Sequence, residues 1–367
     1  MTSHLPDDRI VMTLDAGRTG LKFSAIRGTE IVVGPITLPT EADSLDRCLH
    51  NIIEGFATVK RSLPAPAVAI SFAFPGPADY PRGIISNLKN FPAFEGDVPL
   101  GPILEDKFRI PVFINNDGDL FAYGEAIAGF LPDVNDILAK AGSPKRFRNL
   151  LGITLGTGFG AGIVHDGTLL LGDNSAAGEA WLLRNKLDPT INAEEGASIR
   201  AVRRVYAQHS RTTLDDAPEP KQIFEIGMGN APGNREAAIE AYRQLGVVTG
   251  DALAQALTLI DGLIVIGGGI SPAWPLFMPA LLESVNATYE ANGLQRLPSK
   301  VFNLHDPADL ERFLKGDVRK VPIRHSAKTV DFDPMRRSAI GVSRLGTNLA
   351  VAVGARAFAL HKLDHSH

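Results

Sequence analysis

The chain has 367 residues, 44% hydrophobic and 21% charged, the balance of an ordinary globular protein with material for two domains. Lys and Arg number 37 against 41 Asp and Glu, a formal charge of −4, so the composition asks for neither nucleic acid nor a membrane surface as a partner. Cys48 is the one cysteine, which excludes an intrachain disulfide and a cysteine-built zinc site. Residues 1–10 lack the apolar core of a signal peptide, and every apolar run is too short to span a bilayer, so a reduced, cytoplasmic location is expected.

In chain order, residues 10–15 form an apolar run that ends in the carboxylate of Asp15. The turn Asp15-Ala16-Gly17-Arg18-Thr19-Gly20 follows, then apolar runs at 21–27 and 31–33 on either side of Gly28-Thr29, a strand meander with tight turns. Leu45, Leu49, Ile52, Phe56 and Val59 recur at helical spacing and predict an amphipathic helix over 41–63. Cys48 lies on the flank of that stripe and reads as a small core residue. Residues 68–74 predict a strand closed by Pro75-Gly76-Pro77, 103–108 a short helix, 111–115 a strand and 118–129 a helix. That alternation points to an α/β domain.

A second set begins with a strand over 151–155, the turn Leu155-Gly156-Thr157-Gly158-Phe159-Gly160, a run at 161–165, Asp166-Gly167 and a run at 168–171. Asp-Gly between alternating apolar runs is a two-residue hairpin signal. Both sets read strand, Gly/Thr turn, strand, tight Gly turn, strand. This predicts an internal duplication in which each copy founds one domain. Helices are predicted over 196–206 and 237–260, and a strand over 263–266 leads into Gly267-Gly268-Gly269. Ser271 and Pro272 then suit the N-cap and first position of a helix over 276–289, and an Ala-rich helix over 348–363 ends the chain. Residues 131–149 and 297–337 give no clear element.

The glycines of both Gly/Thr turns let backbone N–H groups approach an anion, and Thr19 adds a hydroxyl donor. Asp15 stands where a carboxylate can orient a hydrated Mg²⁺. An ordinary hairpin turn, rich in Asp and Gly, reads the same locally. The second turn is no dinucleotide fingerprint, because strands rather than a helix follow it, and the sequence has no Gly-Lys-Ser/Thr P-loop. Gly267-Gly268-Gly269 suits close approach of a phosphate or flat ligand, or equally a tight packing turn. Asp117, after Asn116, suits a general base that takes the proton of a sugar hydroxyl, or a helix N-cap. Glu179, Glu194 and Glu195 suit acceptors for sugar hydroxyls, or solvated surface charges. The nine histidines show no zinc spacing, and His361, His365 and His367 crowd the C-terminus.

Taken in order, these motifs resemble the ROK family (repressors, open reading frames and kinases) within the actin/hexokinase-like ATPase fold. The resemblance rests on Asp15-Ala16-Gly17-Arg18-Thr19, Phe74-Pro75-Gly76-Pro77-Ala78-Asp79, Asn87-Leu88, Asn116-Asp117 with Gly124-Glu125, the second Gly/Thr turn, Ala177-Gly178-Glu179, and Ile266-Gly267-Gly268-Gly269-Ile270-Ser271. It implies an α/β, two-domain actin-like ATPase (ribonuclease-H-like) fold with the active-site cleft between the domains. Residues 1–117 with 348–367 would form the smaller domain and 118–347 the larger. It implies ATP at Asp15, Gly17, Thr19, Thr157, Gly158, Gly267 and Gly268, and Mg²⁺ at Asp15 through water. It implies a small-molecule sugar at Gly76, Asn87, Asn116, Asp117, Glu179 and Glu194, with Glu194 placed by Ser198 four residues on, and Asp117 as the catalytic base.

The implied activity is glucokinase-like transfer to a hexose hydroxyl, the 6-hydroxyl first, by a homodimer. The alternatives are a kinase for another sugar, such as N-acetylmannosamine, fructose or allose, or a non-catalytic sugar-binding regulator. Repressors of the family carry a helix-turn-helix module ahead of the first phosphate motif, and the nine residues before Ile10 do not hold one. One departure stands out. Where many members continue to a Gly-His pair and a cysteine-rich zinc loop, this chain reads Glu179-Ala180-Trp181-Leu182, with Leu182 in the histidine's place and fourteen residues between Glu179 and Glu194. No zinc is therefore expected. Arg184, Asn185 and Lys186 are candidates to replace the lost contact, or surface charge, and Arg18 is expected to point to solvent.

Overall fold

The computed structural model describes residues 7–17, 19–76, 78–88 and 92–365, so Arg18 and His367 lie outside the described residues. The chain divides into two units, each with its own core. Met1–Ala128, Leu169–Ala177 and Leu345–His367 form the first, and Gly129–Thr168 with Gly178–Arg344 the second.

The first unit opens with the expected meander, β1 (Ile10–Ala16), β2 (Gly20–Arg27) and β3 (Glu30–Pro39). Then come α1 (Leu45–Arg61), β4 (Ala67–Ala73), three short strands β5 (Ala78–Asp79), β6 (Ile84–Ser86) and β7 (Asp97–Val98), α2 (Leu100–Phe108), β8 (Val112–Asn115) and α3 (Asp117–Ala128). The main sheet runs β3-β2-β1-β4-β8, antiparallel across β1–β3 and parallel across β1, β4 and β8. Strands β1 and β4 are apolar almost throughout because both faces are covered. On one face Cys48, Ile52, Phe56 and Val59 of α1 pack on the sheet, with the Phe56 ring 5.1 Å from Phe23 and 5.7 Å from Phe72. On the other, Val353, Ala359 and Leu360 of the C-terminal helix Thr347–His365 meet Val11, Ile26 and Ala69.

Helix α1 starts at Leu45 rather than 41, because Glu41 takes the left-handed conformation (φ +51°) and Ser44 is extended. The expected domain limit after residue 117 also moves. A Cβ on Gly124 would lie 1.9 Å from the Ala350 carbonyl oxygen, and one on Gly354 1.8 Å from that of Leu120. Helix α3 and the C-terminal helix thus touch backbone to backbone, which keeps α3 in the first unit, and the unit ends at Ala128.

The second unit holds α4 (Phe130–Lys140), β9 (Leu150–Leu155), β10 (Phe159–His165), the first residue of β11 (Thr168–Leu170), α5 (Ile199–Ser210), α6 (Pro220–Met228), α7 (Arg235–Ile260), β12 (Leu263–Gly267) and α8 (Trp274–Val285). It continues with β13 (Lys300–Asn303), α9 (Pro307–Lys315), the hairpin β14 (Arg319–Pro322) and β15 (Thr329–Phe332), and β16 (Arg337–Val342). Its sheet runs β11-β10-β9-β12-β16-β13. Three antiparallel strands followed by parallel ones repeat the order of the first sheet, with β13 as an addition. The Asp166-Gly167 turn has φ of +48° and +78°, the two positive values that a two-residue hairpin of this hand requires.

Three departures from the expected elements have visible causes. Helix α4 buries Phe130, Leu131, Val134 and Leu138 inside a polar stretch. Strand β16 begins with Arg337, which is 1% exposed, paired with Asp333 and set over the Phe313 ring, so a buried strand starts on a charge. Ser271 lies inside a 3₁₀ turn, Ser271–Ala273, and makes no cap, so the helix starts at Trp274. Among the described residues no helix is long and apolar enough to cross a membrane.

Candidate active site

In the first unit, parallel pairing aligns the C-terminal ends of β1, β4 and β8: Asp15 lies opposite Ala73, and Ala73 opposite Asn115. Ligands of open α/β sheets bind at such strand ends. The first Gly/Thr turn closes with the Gly17 N–H donating to the Gly20 carbonyl at 3.0 Å, while the Thr40 hydroxyl donates to the Gly17 carbonyl at 2.6 Å. A Cβ on Gly17 would sit 2.9 Å from the Gly20 oxygen, so this turn needs glycine. The Asp15 side chain is 51% exposed and 3.6 Å from Lys22 Nζ. A half-hydrated carboxylate at the mouth of such a turn fits a cation that keeps its own waters.

Asp117 follows on the same edge. The cap that sequence offered to Asp117 is made one residue earlier. The Asn116 carbonyl accepts the Leu120 N–H at 3.1 Å, and its Oδ1 accepts the Gly118 N–H at 2.7 Å. Among the described residues, Asp117 Oδ1 accepts the adjacent Gly118 N–H, at 2.9 Å. Desolvation pushes the Asp117 carboxyl up, backbone N–H groups oppose this, and the negative charge of Asp15 adds to it. The Asp117 side chain is itself exposed, so water offsets part of that desolvation and only the upward direction remains.

Gly76 lies just beyond β4, where a Cβ would come 3.1 Å from the Tyr80 hydroxyl. Asn87 belongs instead to the segment after β6, in a separate three-stranded sheet. Its Oδ1 accepts the Gly96 N–H at 3.0 Å, leaving Nδ2 as its donor. The structure therefore gathers Asp15, Gly76, Asn116 and Asp117 on one sheet edge and holds Asn87 on another.

In the second unit, the second Gly/Thr turn closes with the Gly156 N–H donating to the Gly158 carbonyl at 3.0 Å, the same device as the first turn. Strand β12 runs parallel to β9, with Gly267 opposite Thr154. Gly268 has φ +89°, and a Cβ there would lie 2.3 Å from the Leu155 oxygen. The glycine cluster and the turn are thus neighbours, with Gly269 N 4.0 Å from where a Gly156 Cβ would be. The cluster is a tight packing turn at Gly268, and beside it Gly269 is exposed, with nothing within 4 Å of where its Cβ would be.

Glu194 reaches this turn. Its Oε2 accepts the Phe159 N–H at 3.1 Å, in space left by Gly158, where a Cβ would be 2.5 Å away. Ser198, fully buried, caps α5 by accepting the Ala201 N–H at 3.4 Å, which anchors the segment carrying Glu194. Glu179 follows Gly178, which has φ +82° and lies against β10, where a Cβ would come 3.2 Å from the Ala161 oxygen. The Ala193 N–H donates to the Leu183 carbonyl at 2.7 Å and ties the two glutamate segments together. Glu195 turns away into ion pairs with Arg200 and Arg204.

Asn185, 3% exposed, accepts the Leu187 and Asp188 N–H groups and folds its own loop, while Arg184 and Lys186 lie at the surface. Leu182, in the expected histidine's place, is 58% exposed. Two contacts had no sequence signal: the Phe159 backbone donor to Glu194, and the Trp181 indole Nε1–H, which donates to Glu179 Oε2.

The ROK family profile matches residues 11–306. The chain is 53% identical to a glucokinase from Parabacteroides distasonis of solved structure, over 98% of this chain and 99% of that one, with a TM-score of 0.90. It is 26% identical over 277 residues to an N-acetyl-D-glucosamine kinase of Vibrio vulnificus, which covers 70% of this chain and 83% of that protein. It shares the fold of a ROK family glucokinase from Streptomyces griseus, solved with glucose and AMPPNP, at 19% identity and a TM-score of 0.60, over 95% of this chain and 98% of the other. With the two-sheet, twice-repeated architecture and the glycine turns at the strand ends, these findings settle the lineage: the chain belongs to the ROK family and has its actin-like ATPase fold.

Proposed function

We propose that this sugar kinase of the ROK family transfers the γ-phosphoryl group of ATP to the 6-hydroxyl of a hexose, with glucose as the first substrate and Asp117 as general base. The observation that carries the proposal is Asp117 itself. Asn116 takes over the cap, so the Asp117 carboxylate keeps an oxygen free of structural work. Its raised affinity for a proton suits a group that must collect one from a hydroxyl. The 53% identity to a glucokinase supports the sugar.

The sugar hydroxyl would give its proton to Asp117 as its oxygen bonds to the γ-phosphorus, while the bond to the bridging oxygen breaks and ADP leaves. Gly17 and Gly158 would let the phosphates come close to the two turns, the hydroxyls of Thr19 and Thr157 would donate to them, and Gly267 and Gly268 would line the adenosine. Bound Mg²⁺ supplies neutralising charge, and Asp15 would hold it through water. Asn87, Asn116, Glu179 and Glu194 would orient the sugar, which matters because transfer depends on positioning.

A coupled ADP-release assay over glucose, mannose, fructose, allose, N-acetylglucosamine and N-acetylmannosamine tests the proposal. Glucose should give the highest kcat/KM. No ADP release with any of the six would sink it. The homodimer that the family resemblance implies should appear by light scattering as twice the 39.3 kDa chain.

A further inference from the structure

Glu194 and Glu179 stand in the same predicament. Each is an acceptor on a short segment between β10 and α5, and each must aim one carboxylate oxygen at a ligand without rotating. Glu194 solves this with a backbone donor: the Phe159 N–H is bonded to Oε2, which leaves Oε1 as the second acceptor. The 3₁₀ turn Ala180–Leu182 behind Glu179 offers no such donor, since Glu179 makes no side-chain cap to it. The donor comes instead from a side chain two residues on, where the Trp181 Nε1–H occupies Glu179 Oε2. The Trp181 ring is itself held, because Ala180, Trp181 and Leu183 pack against the second unit's core. Trp has one polar atom, a donor, so a buried ring can fix a carboxylate without competing as an acceptor.

We propose that Trp181 is the positioning residue for Glu179. Its indole N–H consumes one oxygen, so that Glu179 presents a single fixed acceptor to a sugar hydroxyl. The three polar residues that follow do not do this: Asn185 is committed to its own loop, and Arg184 and Lys186 are at the surface. Leu182, exposed and apolar, adds no donor. Both glutamates then meet the sugar as acceptors only, their protein donors already used, so this end of the site selects ligands that donate hydrogen bonds. The inference rests on the sugar-kinase proposal for the identity of the ligand. The Trp181–Glu179 contact does not depend on it.

The test compares Trp181→Phe and Trp181→His with the full-length wild-type chain, reading the sugar Kd by calorimetry, KM for sugar and ATP by ADP release, and Tm. Phe keeps the ring and loses the N–H. Losing a hydrogen bond to a charged group predicts an approximately ten- to hundred-fold weaker sugar Kd and higher sugar KM, with KM for ATP and Tm nearly unchanged. His, which keeps a ring N–H, should recover part of the loss. An unchanged sugar Kd in Trp181→Phe overturns the inference, as does a loss that appears equally in sugar and ATP together with a fall in Tm. The wild-type chain separates the two claims. If it binds sugar without releasing ADP, the catalytic proposal fails while the Kd comparison still decides the role of Trp181. If it binds none of the sugars, both fail.

Discussion

Gly158→Ala probes the link between the second phosphate turn and Glu194. A Cβ at this position would lie 2.5 Å from Glu194 Oε2, about 1 Å inside ordinary contact, and no backbone atom is as close. The obstacle is the end of a flexible side chain, so the fold gives way cheaply by moving the carboxylate. That movement breaks the 3.1 Å bond from the Phe159 N–H. A hydrogen bond to a charged group contributes about 1.5–3 kcal/mol, which is about ten- to a hundred-fold in kcat/KM for the sugar. Tm should change little. The assay is a double-mutant cycle of Gly158→Ala, Glu194→Ala and the pair, read as kcat/KM for the sugar at saturating ATP. If Gly158 acts through Glu194, the double variant should be little worse than Glu194→Ala alone. Fully additive losses would show that the turn and the glutamate work independently, and the proposed link would be wrong.

Other outcomes follow from the same geometry. Desolvation and the charge of Asp15 push the Asp117 carboxyl up, and a base must be ionised to act. Activity should therefore fall on acidification at a pH above the ordinary carboxylate range near about 3.9, and Asp15→Asn, which removes the like charge, should move that acid limb to lower pH. A pH–kcat profile checks the sign, and a limb that moves up in Asp15→Asn contradicts it. Gly268→Ala combines a φ of +89° with a Cβ 2.3 Å from a backbone oxygen that cannot swing away. It should lower stability by at least about 2 kcal/mol, visible as a fall in the urea midpoint at constant slope, and an unchanged midpoint would refute the close packing of β9 and the glycine cluster.

The sequence made the elements nearest the chemistry most legible, because glycine and periodicity speak locally. The Asp-Gly turn declared its two positive φ values, the stripe of α1 declared its buried face, and both Gly/Thr turns fell between antiparallel strands. Illegible features depended on distant partners. Arg337 opens a buried strand only because Asp333 and Phe313 receive it. The stretch over 130–140 is a helix because four apolar side chains are buried along it. Ser271 looked like a cap until a 3₁₀ turn took its place. The choice between cap and base at Asp117 could not be made from residue type, since Asn116 and Asp117 are both good caps. Hydrogen bonding assigned the cap to Asn116. Trp181 gave no signal because an indole beside a carboxylate has no pattern in sequence until the turn brings them together.

The measurement that bears most directly on the central claim is sugar turnover by Asp117→Ala, with glucose binding followed by calorimetry on the same preparation. Loss of the base should abolish ADP release while glucose binding largely survives. Near-normal turnover in that variant would contradict the account.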